Sequence, residues 1–340
     1  MPISSEYTHT VVIAEIGVNH NGDLETARNL VLAARGAGAD YAKFQTFSAD
    51  DLATEGAPIA AYQEKSARDL SQRDMLRELE LSQGDFAELK GFCESSGIGF
   101  LTTAHDFASL DFVLGLRLDY IKVPSGDLTN LPFLERISGE GTPVILSTGM
   151  GELREVEAAL LVLENSGLSR DMVTVLQCTT NYPAPLEEAN LRAMVAMGKN
   201  LAVKVGYSDH TQGAAASIAA VTLGATVIEK HLTLDQSMPG PDHSASSTPE
   251  EFADMVASIR AVELALGSSE KAPTVSEFAN RDVVRKSIVA VRPIVKGEVF
   301  SPQNIGVKRP GTGISPMAWH EVVGLRADRD FAVDDMIELP

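Results

Sequence analysis

The sequence predicts a (β/α)8 barrel followed by a small β-rich domain, and three observations carry that prediction. Short apolar runs alternate with amphipathic stretches eight times before Gly267. Each run ends in polar residues at its C-terminal side. The chain then changes character after Gly267, where a polar, turn-forming segment, Ser268 to Pro273, leads into short β-like runs broken by Gly and Pro. Apolar runs without alternation mark strands buried on both faces, as parallel sheets require. Strands that alternate with helices in this way close into a barrel.

The elements follow in order. Val11 to Ala14 ends in Glu15-Ile16-Gly17, ahead of an amphipathic stretch from Leu24 to Gly36. Asp40 to Ala42 ends in Lys43-Phe44-Gln45, with Gln83 to Ser96 as its helix. Ile98 to Leu101 ends in Thr102-Thr103, ahead of Phe107 to Leu116. Tyr120-Ile121 ends in Lys122-Val123-Pro124-Ser125, ahead of Leu131 to Ser138. Pro143 to Leu146 ends in Ser147-Thr148-Gly149, ahead of Glu152 to Asn165. Val173 to Leu176 ends in Gln177-Cys178-Thr179, ahead of Leu186 to Met197. The seventh run, Val203 to Tyr207, leads to His210 and an alanine-rich helix between Gly213 and Gly224. The eighth, Ala225 to Ile228, leads to His231, and Pro249 to Leu266 closes the barrel. The expected organisation is a barrel over residues 1–267, a linker over 268–282 and a small domain over 283–340, with strands at Ser287 to Val291 and Asp335 to Leu339.

This architecture gives the polar strand ends one address, the C-terminal rim where barrel enzymes place their active sites. His210 and His231 end adjacent strands, and neighbouring strands lie roughly 4.8 Å apart. Two imidazoles so placed can converge on one divalent metal. Lys43 and Lys122 also end strands. Buried lysines require a charge partner, either an anionic ligand or a carboxylate on the same rim. Thr103, Ser125, Ser147 and Ser208 add hydroxyls, although strand-end serines also cap helices. His9 and His320 read as solvated, His105 as a helix-start residue first and a rim residue second, and His20 as shaping the first loop ahead of binding metal. Trp319 is expected to pack the small domain.

Composition narrows the function classes. A net charge of −19 disfavours nucleic acid and anionic membranes as partners. Cys93 and Cys178 lie in apolar contexts and suggest a reducing compartment without a disulfide framework. The N-terminus lacks the pattern of a signal peptide, and the stretch Ala214 to Ile228 is too short to span a membrane, so a cytoplasmic protein is expected. The small domain, at roughly 55 residues, is marginal alone and is expected to dock on its own barrel or on a partner subunit.

The motifs Ala14 to Gly22, Lys43-Phe44-Gln45-Thr46-Phe47, Gly206 to His210 and Ile228-Glu229-Lys230-His231 resemble those of the sialic acid synthases. So do Gly240-Pro241-Asp242-His243 and Lys308 to Pro316, and the tail is similar to that family's antifreeze-like (SAF) domain. The resemblance implies a synthase of N-acetylneuraminate, or of legionaminate or another nonulosonate made from a 2,4-diacetamido-2,4,6-trideoxyhexose. Such enzymes condense phosphoenolpyruvate with an open-chain sugar aldehyde and release phosphate by C–O cleavage. It further implies a divalent metal on His210 and His231, manganese first, with magnesium or cobalt as alternatives. Glu229 would contribute to that metal site through water or a neighbouring ligand. Glu15 would serve catalysis beside the sugar, and Lys43, Thr103, Lys122, Ser125, Ser147 and Ser208 would hold phosphoenolpyruvate. Gln45, Tyr182, Asp242 and Arg309 would bind an N-acetylated hexosamine, with Arg309 reaching across a domain-swapped homodimer. Thr180 stands where some relatives carry asparagine, leaving open whether Asn181 replaces that contact. Two readings from other classes remain at this stage: a metal-dependent aldolase or sugar isomerase, and a non-catalytic carbohydrate- or ice-binding protein.

Overall fold

The computed structural model describes residues 9–58, 71–139 and 141–339. Eight parallel strands close in sequence order, with the eighth paired to the first. They are β1 (Val11–Gly17), β2 (Tyr41–Thr46), β3 (Gly99–Ala104), β4 (Ile121–Val123), β5 (Val144–Ser147), β6 (Val173–Cys178), β7 (Lys204–Asp209) and β8 (Val227–His231). β1 and β5 are buried along almost their whole length, which explains why their apolar runs do not alternate. Helices α1 (Leu24–Gly36), α2 (Ala49–Leu52), α3 (Gln72–Glu78), α4 (Gln83–Ser96), α5 (Phe107–Gly115), α6 (Leu131–Ser138), α7 (Leu153–Asn165), α8 (Leu191–Leu201), α9 (Ala215–Thr222) and α10 (Pro249–Leu266) complete this unit.

Local chemistry sets the helix limits. Asp23 caps α1 by accepting from the Thr26 amide at 2.7 Å. Capping boxes Ser82/Asp85 and Thr248/Glu251 open α4 and α10. α4 ends at Gly97, whose φ of 75° lies in the left-handed region. The expected helix from Leu186 to Met197 is instead a 3-10 turn, Leu186–Glu188, followed by α8. Asn190 causes the break: it sits at φ 48°, a conformation that asparagine tolerates better than most residues and that no helix can pass through. α2 and α3, in the long connection after β2, have no counterpart among the expected elements.

The chain divides into two compact units, Met1–Gly267 and Ser268–Pro340. The second contains helix α11 (Val275–Val284) and an antiparallel pair, β9 (Ser287–Ala290) and β10 (Ile305–Lys308). The stretch 268–282, expected as linker, thus carries most of a helix, opened by a Thr274/Glu277 capping box. Asp335 to Leu339 forms only an isolated bridge, Val289 to Met336, rather than a strand. The core of this unit is Ile288, Ala290, Ile294, Phe300, Ile305, Val322, Ala327, Phe331 and Ile337, with Trp319 packed against it as expected. Among the described residues, no helix is long and apolar enough to cross a membrane.

Candidate active site at the barrel rim

Strand register brings distant residues side by side. Glu15 on β1 stands opposite Lys43 on β2 and opposite His231 on β8. Thr103 pairs with Lys122, and Ser208 with Glu229. These side chains line a cavity of about 440 Å3 at the rim, together with Gln45, Ser125, Ser147, Tyr182 and His210. That volume is in the range of small-molecule sites. Glycines keep it open. Gly17 turns β1 out of the barrel at φ 57°, and a Cβ there would lie 3.2 Å from Gln45 and 3.3 Å from Glu15. A Cβ on Gly149 would stand 2.2 Å from Thr180 and 2.8 Å from Ser125.

The floor is a buried cluster of charge. Lys43 Nζ lies 2.6 Å from Glu15 and 3.6 Å from Glu229, while Lys122 Nζ lies 3.6 Å from Glu229. Lys43 also donates to Thr103 at 3.0 Å, and Lys122 to Ser147 at 2.8 Å. Ser208 donates to Glu229 at 2.9 Å, and Gln45 to Glu15 at 3.0 Å. Burial opposes ionisation of Glu229, but Lys122 and Lys43 outweigh it and hold the carboxyl down at about 2. Burial also disfavours a charged Lys43, yet Glu15 and Glu229 raise it above the ordinary lysine range. Lys122, with one carboxylate partner, is lowered by burial. Burial raises Glu15, and the neighbouring Glu229 raises it further against the pull of Lys43. Glu15 is therefore the carboxylate of this cluster that takes up a proton more readily.

The two histidines form the adjoining wall, with ring centroids 5.5 Å apart. His210 donates from Nδ1 to the Thr179 carbonyl at 2.7 Å, which leaves Nε2 as a lone-pair donor. Tyr182 packs on both rings, at 4.2 Å from His210 and 5.6 Å from His231. Burial, with each histidine's cationic or imidazole neighbours, lowers His210 to about 4 and His231 to about 3. Both are therefore neutral near pH 7, the form that ligates metal. Among the described residues, His231 Nδ1 is buried without a hydrogen-bond partner. Two neutral imidazoles, one with an orphaned nitrogen, fit a divalent ion. Among the described residues no group of three or more His, Cys, Asp or Glu is arranged to hold one, so water or substrate would supply the other ligands.

Behind the histidines, Asp209 and Lys230 stand opposite one another on β7 and β8 and pair at 3.0 Å. Asp209 further accepts from Ser217 at 2.6 Å and from Thr211, and Lys230 donates to the Thr211 carbonyl at 2.7 Å. This buried network fixes the two strands whose next residues are His210 and His231.

Asp242 does not line the cavity; it lies 3.9 Å from His231 Nδ1, pushed up to about 7 by burial and by Glu15. Arg309 is exposed, just past β10 in the second unit. Thr180 lines the cavity, whereas Asn181 turns its carbonyl to the Tyr182 amide. His20 shapes its loop as expected, its Nδ1 accepting from the Gly22 amide at 3.1 Å. His9 is not simply solvated, since it bonds Asp40 at 2.8 Å. His105 takes the second of its two expected places, on the rim. Asp106 caps α5, accepting from Ser109 at 2.7 Å, while His105 lines the cavity. The signal was the period of two along a strand: His105 follows Thr103 by two positions and faces the same way. Gln72, Met150 and Cys178 also line the cavity, with no signal in the sequence pattern that singled them out.

An eight-stranded parallel barrel with charged and imidazole side chains converging on its C-terminal rim is an enzyme architecture. Residues 30–271 match the NeuB family and residues 285–339 match the SAF domain. The chain belongs to the NeuB family and carries a SAF domain. It is 46% identical to the N,N'-diacetyllegionaminic acid synthase of Campylobacter jejuni over 96% of this chain and 98% of that protein. It is 36% identical to human N-acetylneuraminate-9-phosphate synthase over 87% and 82% of the two chains. The structure of N-acetylneuraminic acid synthetase from Leptospira borgpetersenii superposes with a TM-score of 0.71 at 28% identity, covering 81% of this chain and 90% of that one.

Proposed function

We propose that this chain is a phosphoenolpyruvate-dependent synthase that makes a nine-carbon acidic sugar from an N-acetylated hexose aldehyde. The observation that carries the reading is the cluster of Lys43, Lys122, Glu15 and Glu229 beside two neutral histidines. Lys43 and Lys122 receive the phosphate and carboxylate of phosphoenolpyruvate, with Thr103, Ser125, Ser147 and Ser208 donating hydroxyls to the same anion. Charge-assisted bonds of this kind are the strong ones. His210 and His231 hold a divalent ion, for which manganese suits the mixed nitrogen and oxygen donors; when bound it polarises the aldehyde oxygen as a Lewis acid. Glu15, next to Gln45 and the cavity, orients the sugar and moves a proton as water adds and phosphate departs. Tyr182 and Gln45 face the sugar. Asp242, outside the cavity lining and 3.9 Å from His231, serves the sugar site through that histidine.

The favoured acceptor is the 2,4-diacetamido-2,4,6-trideoxyhexose that leads to legionaminate. Its support is that the 46% identical relatives from Campylobacter jejuni and Legionella pneumophila are both named N,N'-diacetyllegionaminic acid synthases. N-acetylmannosamine, leading to N-acetylneuraminate, is the second acceptor, supported by the sialic acid synthetase likeness. The buried, unpaired Cys93 and Cys178 suit a reducing cytoplasm.

Purified protein with phosphoenolpyruvate, manganese and either acceptor releases phosphate and forms a nine-carbon acid by mass spectrometry, faster with the diacetamido sugar. Chelation abolishes release, as do His210→Ala and His231→Ala in folded protein; no release with either acceptor refutes the function. Lys43→Ala and Lys122→Ala raise the KM for phosphoenolpyruvate about tenfold or more, since each loses a charge-assisted contact. An unchanged KM in both removes the lysines from that role. The second unit is proposed to complete the sugar site of a partner chain through Arg309, in a two-fold dimer that exchanges these units. Mixing inactive Glu15→Gln and Arg309→Ala chains then restores activity through dimers with one intact site; proven subunit exchange without recovery contradicts the shared site.

A further inference from the structure

His105 lines the same cavity as Lys43 and Lys122 but belongs neither to the charge cluster nor to the histidine wall. It follows β3 immediately, and its amide bonds the Thr46 carbonyl of the neighbouring strand at 3.1 Å, which fixes its place on the rim. Phe47 packs edge-on against the ring at 6.3 Å. Yet Nε2 is buried with no hydrogen-bond partner among the described residues. A buried polar atom left unsatisfied is destabilising, and a phenyl ring would fill the same space against Phe47 without that cost. A polar ring without a partner among the described residues, on the wall of a binding cavity, is suited to a group that enters the cavity.

The surroundings indicate what enters. The charged groups acting on this ring are first Lys43 and Lys122, then Asp106, which caps α5. Burial and the two lysines hold the ring down at about 4, so it stays uncharged near neutral pH and keeps one N–H. A third cation beside two lysines would be repelled, whereas a neutral donor adds a hydrogen bond to an anion without adding charge.

We propose that His105 is a further substrate-binding residue, donating a hydrogen bond to the anionic end of phosphoenolpyruvate beside Lys43 and Lys122. The inference rests on the function proposed above and deepens it by naming a contact that separates one substrate from the other. Its test is steady-state kinetics on wild-type, His105→Phe and His105→Asn protein, with each substrate varied in turn and thermal melting to verify folding. His105→Phe keeps the aromatic volume and loses the donor. Its KM for phosphoenolpyruvate rises about tenfold, while the KM for the acceptor sugar stays within about twofold. His105→Asn keeps an amide donor and recovers most of the loss. A wild-type enzyme that turns over while folded His105→Phe keeps its KM for phosphoenolpyruvate overturns this assignment alone. A rise confined to the acceptor sugar also overturns it. Should His105→Phe fail to fold, an increase in His105→Asn as large as that of Lys122→Ala contradicts the proposal, and a small one upholds it. A wild-type chain that releases no phosphate overturns the functional reading and this inference together.

Discussion

The burial of two lysines and two glutamates at the mouth of one barrel is the constraint on which the rest of the site depends. Glu15, Lys43, Lys122 and Glu229 are each at most 5% exposed. Removing such charges from water costs several kcal/mol per ion, which attraction offsets only when geometry and hydrogen bonds are good. Register supplies the geometry by setting Glu15 directly opposite Lys43, and strand-end hydroxyls of Thr103, Ser147 and Ser208 supply the bonds. A barrel selected only for stability would fill these positions with apolar residues. Charges kept at this cost point to a ligand that shares them, and an anion able to take over from Glu15 and Glu229 is the chemistry they suit.

The histidine wall obeys the same logic in a different currency of charge. Out of water, with His231 beside His210 and Lys43 beside His231, both rings stay neutral and offer lone pairs instead of positive charge. The Asp209–Lys230 pair behind them neutralises itself and ties β7 to β8, which holds together the two strands from which the rings project. Buried cations that suit an anion, neutral imidazoles and a carboxylate with a raised proton affinity thus coexist within one cavity.

Much of this was legible in the sequence because barrel strands announce themselves. The limits of α1, α4, α6 and α10 coincide with the amphipathic stretches, since Asp23, Ser82 and Thr248 give local starting signals. Lys43, Lys122, His210 and His231 stood out as polar groups ending apolar runs. The pairing of Glu15 with Lys43 and of Glu229 with both lysines was not legible, because register joins residues up to some two hundred positions apart. β10 was missed because Gly306 interrupts a run of only four residues. His105 was masked by its neighbour: Asp106 is a helix-capping signal, and proximity to it suggested a capping role that the strand period contradicts. Asp242 and Arg309 rest on resemblance, and no local pattern says what either side chain meets.

A crystal structure of the protein with phosphoenolpyruvate bound tests the central claim most directly. The account predicts phosphate or carboxylate oxygens about 2.7–2.9 Å from Nζ of both Lys43 and Lys122, with Lys43 drawn away from Glu15. Phosphoenolpyruvate bound elsewhere, with both lysines still paired to Glu15 and Glu229 and touching no ligand oxygen, would contradict it.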